Sequence, residues 1–419
     1  MYTLQIWLLK DIMKTKTWEI NKLEEVCEIL DNKRVPISSK NRIRGIYPYY
    51  GASGIVDYID KYIFDEELVL IGEDGAKWGA FENSAFIAEG KYWVNNHAHI
   101  LKPNNEILIN KFLVYFLNYS NLEKYITGAT VKKLNQQKLK QIEIPLPPLE
   151  EQMRIVKILD LAFEKIDTSV ELLKANLANL DELAKSVLDR AFNPLGDSTE
   201  STQNPSTHDT QSPYPLPQHW EWKSLGEIAS VIQSGFAINK SNEIADGYIH
   251  LRTHNIATDG NLNFETLVKV KKELIKEQQS FIEEGDILFN NTNSTELVGK
   301  TALVTQNYNY AFSNHITKIK LFNQYSPKLV VFYFVLLLKN KYFERICHKW
   351  IGQSGINTDK LKQIQIPLPK DIKEQEQIAM HLDSVFEKAK ALKELYTKEL
   401  KDYEELKQSL LDKAFKGEL

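Results

Sequence analysis

The sequence predicts an α+β protein: two β-rich globular domains, each followed by a long helix, with the two helices packed as an antiparallel coiled coil of pseudo-two-fold symmetry. Three observations carry this. The stretch Leu134 to Phe192 recurs in Ile356 to Phe415; each copy ends in a long apolar stripe at helical spacing; and the region before each copy consists of short β-branched or aromatic runs broken by turn residues.

The repeat is composite. Leu139 to Pro147 is echoed by Leu361 to Pro369, and Glu151-Gln152 by Glu374-Gln375. Phe163-Glu164-Lys165 returns as Phe386-Glu387-Lys388, and Leu188-Asp189-Arg190-Ala191-Phe192 as Leu411-Asp412-Lys413-Ala414-Phe415. The segment before the prolines has the apolar pattern of a short strand, which Pro-x-Pro should stop by removing backbone donors.

A long helix comes next in each copy. Ile155, Leu159, Ala162, Ile166, Val170, Leu173, Leu177, Leu180, Ala184, Val187 and Ala191 form one stripe. Ile378, Leu382, Val385, Ala389, Leu392, Tyr396, Leu400, Tyr403, Leu406, Leu410 and Ala414 form the other. Such a stripe buries a narrow seam against a partner helix, and the two helices most simply pair with each other. About 40 helical residues rise about 60 Å, which suits a spacer.

The order along the chain is an extension at 1–14, a domain at 15–148, a helix at 149–192, a linker at 193–217, a second domain at 218–369 and a helix at 370–419. The extension has no counterpart in the second half, and translation from Met13 is an open alternative to Met1. Strand-like runs occur at Leu68 to Ile71, Ala85 to Ala88, Ile287 to Phe289 and Ile316 to Leu321. Helical runs close the domains at Lys111 to Leu122 and Pro327 to His348. The linker is rich in Ser, Thr, Gln, Asn and Pro and is expected to stay disordered.

Two cysteines, Cys27 and Cys347, exclude a disulfide framework. There is no secretory signal pattern and no apolar stretch long enough to cross a membrane, so a cytoplasmic protein is expected.

The motif search yields no convincing catalytic centre. Gly299-Lys300-Thr301 resembles the end of a phosphate-binding loop, but Ser294 stands where the required glycine would be. Asp74, Glu89 and Lys91 have the residue types of a metal-dependent nuclease, which makes a self-contained endonuclease one alternative. His250 with His254, or His97 with His99, could share a metal, but neither pair has a third ligand at a usual spacing. A coiled-coil adaptor without DNA contact is a further alternative.

Net charge is −4. Lys and Arg against Asp and Glu number 17 and 17 in 15–148, and 17 and 14 in 218–369, so the excess acid lies elsewhere. The two domains are therefore the better candidates for a phosphate backbone. Lys33, Arg34, Lys40, Arg42 and Arg44 cluster beside Tyr47, Tyr49, Tyr50 and Ser53 in the first. Arg252, Thr253, His254 and Asn255, with an amide-rich run at Asn290 to Ser294, do so in the second. Arg and Lys reach guanine acceptors or phosphates, and Asn pairs with adenine.

These features together resemble the specificity subunit of type I restriction-modification enzymes, over nearly all of Lys14 to Leu419. The two copies of the strand, Pro-Leu-Pro and Glu-Gln unit carry the likeness. Ile46 to Gly54, Ile71 to Gly75 and Trp93 to His99 add runs similar to that family's recognition domains. The resemblance implies two target-recognition domains that read a split, asymmetric DNA site, and spacer helices that fix the gap. It implies duplex DNA, two modification subunits and two restriction subunits as partners, and no membrane. No cofactor, metal or catalytic residue is expected on this chain; S-adenosylmethionine, ATP and Mg belong to the partner subunits. The candidate DNA contacts are Lys40, Arg42, Arg44, Tyr49, Ser53, Lys77, Asn96 and His97 in the first domain. In the second they are Lys240, Arg252, Thr253, His254, Asn255, Asn291, Asn293, Asn314 and His315.

Overall fold

The computed structural model describes residues 18–196, 214–275 and 281–419. The predicted extension at 1–14 and residues 197–213 of the predicted linker lie outside the described residues. The chain forms two compact units. One comprises the residues up to Lys174 together with Tyr396–Leu419, the other Ala175–Leu395.

In the first unit the strands are β1 (Glu19–Lys22), β2 (Cys27–Ile29), β3 (Arg44–Gly51), β4 (Gly54–Ile59), β5 (Phe64–Asp65), β6 (Leu68–Gly72), β7 (Ala85–Ala88), β8 (Lys91–Val94), β9 (Ala98–Pro103) and β10 (Glu143–Leu146), with helix α1 (Asn110–Tyr119) after β9. Two four-stranded sheets run in the orders β2-β9-β6-β7 and β4-β3-β8-β5. The run Leu68 to Ile71 is apolar at every position because β6 is covered on both faces. Leu68 and Leu70 pack with Tyr92, Val94 and Ile100. Val69 and Ile71 point the other way, toward Phe112 and Leu113 of α1.

The helix α2 (Leu149–Phe192) begins in this unit. The second unit contains β11 (Trp220–Ser224), β12 (Ala229–Ser234), β13 (Glu243–Leu251), β14 (Lys269–Val270), β15 (Ile287–Asn290), β16 (Thr292–Asn293), β17 (Thr301–Leu303), β18 (Ala311–Phe312), β19 (Ile316–Leu321), β20 (His348–Trp350), β21 (Gln353–Gly355) and β22 (Gln365–Pro369). Its main helix is α3 (Pro327–Lys339), and α4 (Ile372–Phe415) begins here and ends in the first unit. The orders are β12-β19-β15-β17, β14-β13-β18 and β16-β21-β20. Strand β15 repeats the logic of β6: Ile287 and Phe289 pack toward α3, and Leu288 packs toward Leu251 and Phe312.

Both ends of a long helix are used in each unit. In the first, Ile155 and Leu159 from the start of α2, and Leu411 and Ala414 from the end of α4, join the core around α1. Phe415 stacks on Tyr119 at 5.0 Å and meets Phe112 and Phe116 edge-on at 5.4 Å. In the second, Ala379 and Leu382 from the start of α4, and Leu188 and Phe192 from the end of α2, do the same around α3. Phe192 lies 5.0 Å from Tyr333. A large apolar side chain buried this way contributes about 1.5–3 kcal/mol.

The helices are antiparallel. Lys407 pairs with Asp167 in the first unit, and Lys393 with Asp181 at 3.3 Å in the second. Fourteen residues forward on α2 are thus matched by fourteen back on α4. The predicted seam is narrower than the stripes suggested: Leu173 and Ala184 are buried, but Leu392 and Leu406 are 39% and 45% exposed. A two-helix pair has no third helix to cover those positions.

The repeated Glu-Gln explains itself in both units. Gln152, fully buried, accepts from the Ile109 amide at 2.9 Å and donates to the Ile107 and Pro147 carbonyls at 2.8 Å. Gln375 accepts from the Ser326 amide at 2.9 Å and donates to the Pro369 carbonyl at 2.8 Å and the Gln324 carbonyl at 3.5 Å. Each glutamine thus joins the first turn of a long helix to the loop that starts α1 or α3. The same frame includes antiparallel pairs β1 with β10 and β11 with β22. In it the Leu23 amide donates to the Ile142 carbonyl and the Leu225 amide to Ile364, both at 2.8 Å.

Two local expectations are corrected. The segment before Pro-x-Pro is first a short helix, capped by Asn135 on the Lys138 amide in one copy and by Asn357 on Lys360 in the other, both at 2.9 Å. The strand then runs through Pro145 and Pro367, which is possible because β10 and β22 each have one partner strand and need no donor on the other side. The run from Pro327 is broken at Lys341, whose φ of 54° is left-handed, before a last turn at Tyr342–Ile346.

Replacing Gln152 by Ala should strand the Ile109 amide in the interior and cost about 2–3 kcal/mol, with Q375A similar. The exposed K165A should stay within about 0.5 kcal/mol. Urea denaturation of the full chain measures both.

Candidate nucleic-acid interface

Each unit presents an Asn-His turn, and the two are built alike. In the first, Asn96-His97 lies between β8 and β9. The Glu73 amide donates to the His97 carbonyl at 2.8 Å, and the Asn95 side chain accepts from the His97 amide at 2.8 Å. In the second, Asn314-His315 lies between β18 and β19. The Asn291 amide donates to the His315 carbonyl at 3.0 Å, and the Ser313 hydroxyl accepts from the His315 amide at 3.3 Å. Both turns hang from the end of the central strand, β6 or β15. Asn96, His97 and Asn314 are exposed and His315 is half-buried.

What braces the turn differs. In the first unit Glu73 is gripped by Arg34 and by Lys133 at 2.7 Å. Arg34 also donates to the Ala98 carbonyl at 2.9 Å and the Asn96 carbonyl at 3.4 Å. Beneath it, His99 Nδ1 lies 2.6 Å from Asp31 and Nε2 2.6 Å from the Leu134 carbonyl. Burial works to raise the carboxyls of Asp31 and Glu73. For Asp31 the hydrogen bond and charge of His99 with the charge of Arg34 outweigh it, and for Glu73 the bonds from Lys133 and Arg34 do, so both stay below the usual carboxylate range. In the second unit the brace is neutral: Asn291 donates to the Asn314 carbonyl at 3.1 Å and the Thr317 hydroxyl at 2.9 Å.

The sequence offered no third ligand beside His99, but folding brings Asp31 and Glu73 to it, with one atom from each of the three within 4.8 Å of the others. Arg34 and Lys133 already supply positive charge there, which makes the cluster an ion network rather than a vacant cation cage. The nuclease set is not gathered by any described bond. Asp74 holds His97 Nδ1 at 2.5 Å, Lys91 lies 3.9 Å from Asp65 and 4.9 Å from the Tyr62 ring, and Glu89 stands exposed between β7 and β8.

The other candidates divide into presented groups and braces. Lys40, Arg44, Ser53, Lys77, Lys240 and His254 are exposed, and Thr253 and Asn293 are half-buried. Arg42 stacks on Tyr49 at 4.5 Å and bonds Asp57 at 3.1 Å and the Ile37 carbonyl at 3.1 Å, so it ties the β3–β4 hairpin to the preceding loop. Arg252 reaches Glu243 at 3.4 Å.

Tyr49, Asn255 and Asn291 are corrected from contacts to supports. Tyr49 is 1% exposed. The Asn255 side chain is fully buried, accepting from the Arg252 amide and donating to the Asn263 and Thr266 carbonyls, all at 2.8 Å. Lys300, from the incomplete phosphate-loop motif, is buried and donates to the Thr253 carbonyl at 2.8 Å, so it steadies the same loop; burial pushes its pKa down. Glu73, Arg34, Lys133 and Lys300 were outside the predicted set because their partners lie tens of residues away.

Among the described residues no helix is long and apolar enough to cross a membrane. The family model described as the type I restriction modification DNA specificity domain matches residues 15–179 and 217–401. The chain is 42% identical to a putative type I restriction enzyme specificity subunit of Haemophilus influenzae, over 36% of this chain and 39% of that one. It is 24% identical to the MjaVIII type I specificity subunit of Methanocaldococcus jannaschii, over 96% and 93%. A solved structure of a type I restriction-modification system has a chain that superposes with a TM-score of 0.69 at 19% identity, covering 96% of this chain and 99% of that one. The HsdS subunit of Thermoanaerobacter tengcongensis superposes at 0.53 and 18% identity, over 96% and 98%.

The two units should respond differently to acid. His250 is fully buried with its Nδ1 unpartnered, and burial together with the Arg252 charge lowers its pKa to about 4 from 6.5. An unfolded chain takes up that proton first, so the stability this neutral ring supports should decline as pH falls from about 6.5 toward 4. The lowered Asp31 and Glu73 carboxyls should support the first unit at those pH values and fail only as pH drops through their own, lower range. Hydrogen exchange between pH 7 and 4 should show the second unit loosening first, and H250F should flatten its pH slope.

Proposed function

The chain belongs to the type I restriction modification DNA specificity family, and from that premise we propose that it chooses the DNA site for a cytoplasmic restriction-modification complex. Residues 15–148 and 218–369 act as the target-recognition domains, with 149–192 and 370–419 as spacer helices and 193–217 as the connector. Each domain reads one half of a bipartite, asymmetric site, and the paired helices set the gap.

The observation that carries this reading is the pair of Asn-His turns, hung identically from β6 and β15 but surrounded by unlike loops. A shared mounting with different surroundings suits two readers of different bases. Lys40, Arg44, Lys77 and Lys240 supply the positive charge for phosphates, and Asn96, His97, Asn293, Asn314 and His315 the groups for base edges. Two modification subunits bring S-adenosylmethionine and methylate adenine, and two restriction subunits bring ATP- and Mg-dependent cleavage; the duplicated frame offers like surfaces to like partners.

Single-molecule sequencing of adenine methylation in cells carrying the chain with its modification subunit is the test. A split motif with a fixed gap should appear and vanish on deletion of the chain; no motif from an expressed, assembled complex would sink the proposal. Replacing Asn96 and His97 by Ala should relax one half of the motif only, and replacing Asn314 and His315 the other, at about 1–3 kcal/mol per lost base contact. K40A with R44A should instead weaken binding to all sequences and reduce its salt dependence.

A further inference from the structure

Beside the asparagines of the second unit stands a hairpin that has no part in the proposed function. Strands β20 and β21 pair through His348 with Gly355, Lys349 with Ser354 and Trp350 with Gln353, leaving Ile351-Gly352 at the tip. Ile351 is fully exposed and Trp350 61% exposed. Gly352 takes the left-handed conformation with φ of 79°, so the turn itself makes no demand for an isoleucine before it. A single exposed apolar residue is ordinary, but two adjacent large ones at a protruding tip leave hydrophobic area that water penalises.

The hairpin is continuous with the base-reading amides. Strand β21 pairs on its other side with β16, Gly355 opposite Thr292 and Ser354 opposite Asn293. A Cβ on Gly355 would stand 2.8 Å from the Trp350 ring and 3.4 Å from the Asn291 carbonyl, so the indole lies across the strand beside the amide-rich run. His348 and Lys349 are exposed along the same hairpin and suit a polyanion. The first unit carries a counterpart. Thr127 and Lys133 close a loop by mutual amide-to-carbonyl bonds of 2.9 and 2.8 Å, the Lys133 backbone pairs with that of Asp74, and Val131 is 68% exposed next to Lys132.

We propose that Ile351, backed by Trp350, is an apolar wedge that enters the DNA groove at the second half-site and unstacks a base step, with Val131 its smaller counterpart at the first. Apolar side chains inserted between base steps deform the duplex, and the ease of deformation depends on sequence, so the wedge adds specificity at positions that no hydrogen bond reads. This rests on the DNA-reading role and deepens it.

The test uses the full chain assembled with its modification subunits and duplexes carrying 2-aminopurine at successive positions of the second half-site. Wild type should raise the fluorescence several-fold at one step, while I351A and W350A should lose that rise and bind the site about tenfold more weakly, with non-specific binding unchanged. V131A should act on the first half-site alone. Circular dichroism should be unaltered, because these side chains are exposed.

If I351A and W350A keep both the fluorescence rise and an affinity within twofold, the wedge is overturned. It is equally overturned if they impair assembly with the modification subunits but leave DNA binding by the assembled complex intact, which would make the tip a protein-docking element. If wild type shows no preference for the methylated motif over random duplex, the DNA-reading role itself fails, a result distinct from the other two.

Discussion

The rest of the structure depends on how helix ends are fastened to each unit. A long helix with a narrow seam gains little from one partner helix, and exposed leucines such as Leu392 and Leu406 show how much of its apolar surface stays in water. Its ends are different. Gln152 and Gln375 satisfy three backbone groups each inside the protein, and Phe192 and Phe415 are inserted among aromatic side chains. A buried amide that lost those partners would leave several polar groups stranded at once, so helix and domain are locked in one geometry.

That fixed mounting permits variation in front of it. The central strands β6 and β15 are buried on both faces and end at the same kind of turn. Yet one turn rests on a network of Asp31, Arg34, Glu73, His99 and Lys133, and the other on Asn291 and Thr317. A charged brace and a neutral one reach the same backbone geometry because the shared element is the pair of main-chain bonds, from Glu73 to His97 and from Asn291 to His315. The side chains around those bonds differ between the two units while the main-chain bonds are kept.

Charge distribution fits the same division of labour. The cations that hold the protein together, Arg34, Arg42 and Lys300, are turned inward and spent on carboxylates, rings or carbonyls. Others, such as Lys40, Arg44 and Lys240, are turned outward.

The sequence by itself determined the duplication, the long helices and the strands β6, β7, β15 and β19, because these depend on local periodicity and on motifs copied within one chain. It also marked the dipeptide shared by both halves, Asn96-His97 and Asn314-His315, though within strand-like runs and not as turns. Tertiary structure alone decided which residues support and which present. Tyr49 and Asn255 read as surface contacts but are buried, and the network under His97 joins Asp31, Glu73, His99 and Lys133 from four separate segments. The Trp350-Ile351 tip lies just past the run to His348 that reads as helical; the left-handed Lys341 interrupts that run, and strand pairing folds His348 to Gly355 into a hairpin beside Asn293. Contacts across such distances in sequence leave no periodic trace, and so they are set by the fold and not by any local pattern.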